Sequence, residues 1–349
     1  MASFSLGKRA LLVALLGCDH GGSSGEVKPS PRVDTASAKA VEVDASPTRT
    51  ADTGAGADSA KDEGAPGPRF SVNRRLVLGA TPNAGECAEI ANDREALACA
   101  TKKTFAADER AQAIALELLR TRGDYMGVEE AQRMDGGFRG TIRLEPHLPI
   151  GRERKHLEWV QSSLADFDRF MTSVTKDAPP DYRVSGIFFR FLESVGRTTP
   201  SAYASGFRIG YNVNGSLLRN EEGVRETLFH EIFHLNDEGH HDWSMRVLKP
   251  SYDGIVRKCG TRVACLDPYA PNSTKVRGGT YYAFQPGNGE SVREYGAELA
   301  VRYYREMRGE LGLTRAVRPR FKCGPSENRL AWDAFVGEFF HGVDLGPPC

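Results

Sequence analysis

The chain has no net charge, and no stretch after its first residues is apolar enough to cross a membrane as a helix. Its 46 basic residues balance 46 acidic ones, so no strong electrostatic field directs it to nucleic acid. Residues 19–69 contain no Phe, Trp or Tyr and few aliphatic side chains, which excludes a packed core there. The cysteines form no C-x-x-C pair, and this absence disfavours a cysteine-liganded metal site.

The composition divides the chain into three segments. Lys8 and Arg9 precede the short apolar run 10–16, which predicts an export signal over residues 1–17. Residues 18–69 are rich in Ser, Ala, Gly and Pro and predict a disordered tether. Residues 70–349 are long enough for one globular domain or for two joined lobes. The N-terminal part of this domain, about 70–135, is predicted to be helical.

The end of the export signal carries a further pattern. Leu15-Leu16-Gly17-Cys18 resembles the lipobox of bacterial lipoproteins. The resemblance implies cleavage before Cys18, lipidation of that cysteine and attachment to a lipid bilayer of the bacterial cell envelope. The protein would then face the periplasm or the cell surface. The alternative is an ordinary secretory signal that contains a cysteine by chance.

Six cysteines remain after Cys18, and an even number in an exported protein predicts disulfide bonds. Sequence alone allows several pairings of six cysteines. Proximity along the chain favours three local bridges. These are Cys87–Cys99, Cys259–Cys265 and Cys323–Cys349.

Apolar periodicity predicts an α+β domain with a small mixed sheet beside one central helix. Strands are predicted within 137–146, 182–194 and 205–215, and a loop-rich stretch is predicted between the central helix and residue 289. The predicted helices cover 87–104, 106–122, 154–176, about 221–238 and about 291–307.

The central helix contains the pattern H-E-x-x-H, formed by His230, Glu231 and His234. The two histidines lie about 40° apart on a helical wheel, so both imidazoles face one side and can bind one ion. Glu231 lies about 100° from His230, beside the metal face, where it can accept a proton from a metal-activated water. The alternatives are a core helix with hydrogen-bonded histidines and a metal site without turnover.

A catalytic site needs a third protein ligand, and His240 is one candidate. It occupies the last position of the metzincin pattern H-E-x-x-H-x-x-G-x-x-H. Asp237 stands where that pattern requires glycine for a sharp turn. The next glycine, Gly239, is better placed to end the helix than to return His240 to the metal.

The second candidate lies in the helix that begins at about residue 291, where Glu294 and Glu298 share one face. The spacing E-x-x-A-E resembles the second-helix signature of the gluzincins, and the run "EYGAELAVRYY" is similar to that helix in anthrax lethal factor. The resemblance implies a zincin-like fold and one Zn²⁺ per chain, with Glu294 as third ligand. It implies that Glu298 orients a ligand imidazole. The alternative is a solvated face with a Glu298–Arg302 ion pair.

Three further residues near these helices are candidates for stabilising a transition state. They are His241, Tyr281 and Tyr282, because zincins use a histidine or a tyrosine for this purpose. The predicted function is therefore that of a zinc metallopeptidase acting on a peptide or protein. The strand within 205–215 is predicted to bind the substrate as a sheet edge. The alternatives are a non-catalytic binding lipoprotein and a zinc amidase that acts on cell-wall peptides.

Overall fold

The structure is a computed structural model that describes Leu78 and residues 85–135, 140–275, 279–286 and 291–349. All of them belong to one unit, Asp62–Cys349. The predicted export signal, Cys18 and the tether lie outside the described residues. In the part of the chain that is described, no helix combines the length and apolarity that crossing a membrane requires.

Six strands form one curled mixed sheet, in agreement with the predicted α+β class. The long strand β4 is central: it pairs in parallel with β1 and β6, and its end pairs antiparallel with β3. Strands β2 and β5 extend the sheet antiparallel at its two ends. The strands are β1 Tyr125–Val128, β2 Gln132–Asp135, β3 Thr141–Pro146, β4 Phe188–Ser194, β5 Ala202–Ser205 and β6 Arg208–Asn212.

The prediction that the strand within 205–215 lies at the edge of the sheet is wrong by one strand. Strand β6 is paired on both sides, by β4 and by β5, so it offers no edge. The edge strand is β5, which the sequence analysis did not find. Gly206 and Phe207 both have positive φ (56° and 58°) and fold β5 back onto β6 as a two-residue hairpin. Phenylalanine is rare at such a φ, so the turn carries no recognisable sequence signal.

Nine helices lie within the described residues. The prediction of a helical part over about 70–135 is wrong beyond Arg122, where the chain continues into β1 and β2. These strands have four residues each, which is too short to show periodicity. The predicted loop-rich stretch holds two helices and a π-helical turn, Ser244–Leu248. The helices are α1 Gly85–Ala88, α2 Asp93–Thr104, α3 Glu109–Arg122, α4 Arg154–Ser173, α5 Glu221–Gly239, α6 Lys249–Cys259, α7 Val263–Leu266, α8 Ser291–Glu310 and α9 Ser326–Phe340.

One face of the sheet packs against α4 and α5, and α8 packs on the far side of α5. Alternation along β4 sends Phe189 and Phe191 toward these helices, whereas Phe188 joins a smaller cluster with the N-terminal helices. Both faces of β4 are therefore largely buried, which explains why four of its first five residues are apolar. Helix α5 is enclosed between the sheet and α8.

The structure confirms the three predicted disulfide bonds. Their Cα–Cα distances lie between 5.3 and 5.6 Å. Each bond closes a local loop, as proximity along the chain predicts. The bonded pairs are Cys87–Cys99, Cys259–Cys265 and Cys323–Cys349.

Protonation of His156, on α4, is expected to destabilise the fold in mild acid. Its Nδ1 lies 2.9 Å from the Tyr211 hydroxyl, and burial lowers the pKa of His156 to about 4. A histidine of the unfolded chain titrates near 6.5, so as the pH falls the unfolded state takes up the proton first. The stabilisation is complete above about pH 6.5 and is lost toward about pH 4, by roughly 3 kcal/mol.

Urea unfolding at about pH 7.5 and about pH 4.5 measures this change. The variant His156→Asn keeps an acceptor for Tyr211 but does not titrate, so its free energy of unfolding should fall less between the two pH values. The control is His147→Asn, at a partly exposed position. Equal pH dependence in wild type and His156→Asn would show that His156 does not carry the effect.

Candidate metal centre

The motif helix α5 begins with a complete N-cap. The Asn220 side chain accepts a hydrogen bond from Gly223 N at 2.8 Å. The negative charges of Glu221 and Glu222 in the first turn interact favourably with the positive end of the helix dipole. An apolar stripe along α5 is buried throughout and anchors the helix between the sheet and α8. Its members are Val224, Leu228, Ile232 and Leu235.

Helix α8 approaches α5 closely because of Gly296. A Cβ atom at this position would lie 2.7 Å from the Phe233 ring, so any larger residue would push the helices apart. Tyr295 and Leu299 of α8 are fully buried in the core. The close crossing brings Glu294, in the first turn of α8, to the histidine face of α5.

Three donor atoms converge at this crossing and form a group that could hold a metal ion. Glu294 Oε2 lies 3.1 Å from His230 Nε2 and 3.7 Å from His234 Nε2, and the two Nε2 atoms are 3.2 Å apart. A tetrahedral ion with bonds of about 2.0–2.2 Å sets its ligands about 3.3–3.6 Å apart. The donor atoms of His230, His234 and Glu294 therefore fit one ion without rearrangement of the backbone.

The electrostatics of the group follow from burial and mutual contact. Burial opposes the charged form of His230, but hydrogen bonds to Glu294 and Glu298 outweigh it and raise the pKa of His230 well above its usual value. Burial likewise opposes the charged form of Glu294, yet its contacts with His230 and His234 lower the pKa of this carboxyl strongly. The carboxylate is thus available as an anionic ligand.

Glu231 lies beside this group and takes no part in it as a donor. It is buried, and burial raises the pKa of its carboxyl, while the neighbouring His230 and His234 partly offset the rise. A buried carboxylate with a raised pKa is suited to accept a proton near the operating pH.

Glu298 stands behind His230, on the side away from the donor atoms. Its Oε1 lies 3.5 Å from His230 Nδ1, and its Oε2 accepts a hydrogen bond from Asn272 at 3.0 Å. Arg305 in turn donates to Asn272 at 3.1 Å. Arg302 pairs with Glu306 instead, so the alternative of a Glu298–Arg302 ion pair is wrong. Sequence reasoning missed Asn272, because it lies in a stretch without periodicity.

His240 lies away from the group. Its Nδ1 is 2.8 Å from Glu338 and its Nε2 is 3.1 Å from the Asp181 carbonyl oxygen, so both ring nitrogens are engaged elsewhere. The helix ends at Gly239, and the backbone then turns through positive φ at His241 and Asp242. This turn directs His240 toward α9 and away from His230.

Asp237 and Asn236, which follow the motif, do not orient an imidazole. Asp237 accepts hydrogen bonds from the backbone and hydroxyl groups of Ser244 at 2.6 and 2.8 Å. Asn236 bonds the backbone of Arg183 through both ends of its amide. Both residues therefore fasten the end of α5 to neighbouring segments.

A polar cleft of about 670 Å³ opens beside the donor atoms. The His230 and Tyr282 rings lie 5.9 Å apart, so Tyr282 is next to the donor group, whereas the Tyr281 hydroxyl is bound to Asp267. His241 is exposed at the rim of the cleft. The cleft is lined by Ala204 and Ser205 of β5 together with His234, Glu238, His241, Asp242, Arg293 and Glu294.

Comparison with protein-family models, with curated proteins and with solved structures gave no match. The interpretation of the site therefore rests on its residues and their geometry.

Proposed function

We propose that the protein is a zinc-dependent metallopeptidase. The observation that carries the proposal is the convergence of His230 Nε2, His234 Nε2 and a Glu294 carboxylate oxygen within 3.7 Å of one another. Two imidazoles and one carboxylate form a ligand set typical of catalytic zinc, which keeps a further position open for water or substrate. An ion held there supplies Lewis acidity, which makes water a nucleophile near neutral pH and polarises a carbonyl group.

Protein residues carry out proton transfer, orientation of a ligand imidazole and stabilisation of the oxyanion. The Glu231 carboxylate takes a proton from the attacking water and delivers it to the leaving amide nitrogen. Glu298 Oε1 faces His230 Nδ1 at 3.5 Å and favours a proton on that nitrogen, which leaves Nε2 unprotonated for the metal. Tyr282 and His241 are the candidates for donating a hydrogen bond to the developing oxyanion, since one lies beside His230 and the other at the cleft rim.

The edge strand β5 supports peptide as the substrate. Its residues Ala204 and Ser205 line the same cleft as His234 and Glu294. Because β5 pairs only with β6 among the described strands, its outer backbone groups can hydrogen-bond an extended chain. The prediction of strand addition therefore moves from β6 to β5. Attachment to the bacterial envelope through Cys18 remains part of the proposal, on the strength of the lipobox resemblance alone.

The test measures zinc content and turnover together on the full-length protein. We expect about one zinc per chain and cleavage of mixed blocked peptides, detected by mass spectrometry, that a chelator abolishes and added zinc restores. Purified cell wall is assayed beside the peptides. Release of wall fragments without peptide cleavage would favour an amidase, and zinc binding without either activity would favour a binding protein.

A further inference from the structure

A second cavity, of about 330 Å³, lies on the face of the sheet opposite α5. We call it the Arg208 pocket. It meets the cleft of the metal centre at Ser205, the last residue of β5, which lines both. The Arg208 pocket is lined by Glu129, Glu130, Ala131, Gln132, Arg190, Tyr203, Ser205, Arg208 and Gly210.

The floor of the Arg208 pocket is one row of residues across the sheet. Strand register places Gly127 opposite Arg190, Arg190 opposite Gly210 and Gly210 opposite Tyr203. The Tyr203 ring lies across Gly210, where a Cβ atom would come within 2.3 Å of it. Glycine at this position therefore lets the tyrosine lie flat and turn its hydroxyl toward the middle of the sheet.

Only some of the hydrogen-bond donors of Arg190 have partners. It forms an ion pair with the buried Glu129, whose other oxygen accepts a hydrogen bond from the Tyr203 hydroxyl at 2.7 Å. The Arg190 Nε is buried and has no hydrogen-bond partner. Burial lowers the pKa of Arg190, and the positive charge of Arg208 lowers it further.

Arg208 adds a second cation without adding an acceptor. It lies two residues before Gly210 on β6, so it points to the same face of the sheet. Its side chain makes no hydrogen bond or ion pair with any described residue. Glu130 also lines the pocket, but it is exposed and forms no ion pair with Arg208. The pocket therefore holds two guanidinium groups: Arg190 is paired with Glu129 but keeps an unpartnered Nε, and Arg208 has no ion pair among the described residues.

We infer that the Arg208 pocket binds a carboxylate, namely an acidic side chain of a peptide that lies along β5. This inference rests on the proposed function. In a chain added to the edge of β5, alternate side chains point to the face that carries Tyr203 and Ser205, and the others point to the face of the metal centre. Guanidinium groups bind carboxylates through two parallel hydrogen bonds, which suits the unpaired Arg208. The substrate class is then a peptide with acidic residues at alternate positions.

The experiment compares three fluorescein-labelled octapeptide amides in which Thr alternates with Glu, Gln or Lys. Alternation places every test side chain on one face, and the peptide can take the register that turns this face toward the Arg208 pocket. Affinities are measured by fluorescence anisotropy with the full-length Glu231→Gln protein, in which turnover is expected to be slow. We expect the Glu peptide to bind about tenfold more tightly than the Gln peptide and the Lys peptide to bind most weakly.

Arg208→Gln should remove the difference between the Glu and Gln peptides. Arg219→Gln is the control, because Arg219 is an exposed arginine whose side chain also lacks a partner among the described residues, yet it lies outside the pocket. A Glu preference that survives Arg208→Gln, or is reduced equally by Arg219→Gln, would overturn the inference. A Gln peptide with a free C-terminal carboxylate that matches the Glu peptide would also overturn it, since the terminus would then be the bound group.

Different results would contradict the proposed peptidase function and the proposed carboxylate binding by the Arg208 pocket. The wild-type protein is incubated with the same peptides and the products are analysed by mass spectrometry. If the protein prefers the Glu peptide in binding but cleaves none of the peptides, the proposed peptidase function is wrong and the proposed carboxylate site stands. If the Glu and Gln peptides bind with equal affinity and are cleaved at equal rates, the proposed carboxylate site is wrong and the proposed peptidase function stands.

Discussion

Glu231→Gln is expected to bind zinc as the wild type does and to cleave peptides about 10²–10⁴-fold more slowly. Glutamine has nearly the same shape as glutamate but cannot accept the proton of an attacking water. The donor atoms of His230, His234 and Glu294 do not include Glu231, so the ligand set is unchanged. Loss of turnover with retained zinc is the signature of a missing base.

The measurement is kcat/KM on a cleaved peptide, with zinc content determined on the same sample. Glu222→Gln is the matched control, since Glu222 lies in the first turn of the same helix and is exposed. We expect this control to keep wild-type activity. If Glu231→Gln retained full activity with full zinc, Glu231 would not be the base. If it lost its zinc, its loss of activity would carry no information on proton transfer.

The central part of the site could be predicted from the sequence because it depends on helical spacing. His230 and His234 are one turn apart on a long, strongly periodic helix, and Glu294 and Glu298 are one turn apart on another. Residues four apart on a helix lie on the same face whatever the helix packs against. The three disulfide bonds were predictable for a similar reason, since each joins cysteines close in sequence.

The parts that were missed depend on contacts between distant segments. The edge strand β5 exists because of a hairpin at Gly206 and Phe207, and the positive φ of Phe207 is not one that its residue type predicts. Asn272 reaches Glu298 across 26 residues of chain, with no pattern around it. The orientation of His240 is set by Glu338 on α9, almost one hundred residues later. No local pattern encodes these contacts.

That contrast between local and distant contacts bears directly on the third ligand. In the sequence His240 is close to the histidine pair and Glu294 is distant, whereas among the residues that the structure describes it is Glu294 that joins the pair. Glu294→Ala is therefore expected to weaken zinc binding by more than the roughly 10–100-fold that loss of an outer partner costs. His240→Ala should keep one zinc per chain.

Competition with a chromophoric chelator measures the zinc affinity of both variants and of the wild type. Thermal unfolding with and without zinc gives a second readout, because a ligand that binds only the folded state raises its stability. Zinc should raise the melting temperature of the wild type and of His240→Ala, and should raise that of Glu294→Ala much less. His240→Ala loses hydrogen bonds to Glu338 and to the Asp181 backbone, so it should be destabilised by about 1 kcal/mol without metal. The reverse pattern, in which His240→Ala loses zinc and Glu294→Ala keeps it, would show that the ion is bound by residues near the end of α5 and not between the two helices.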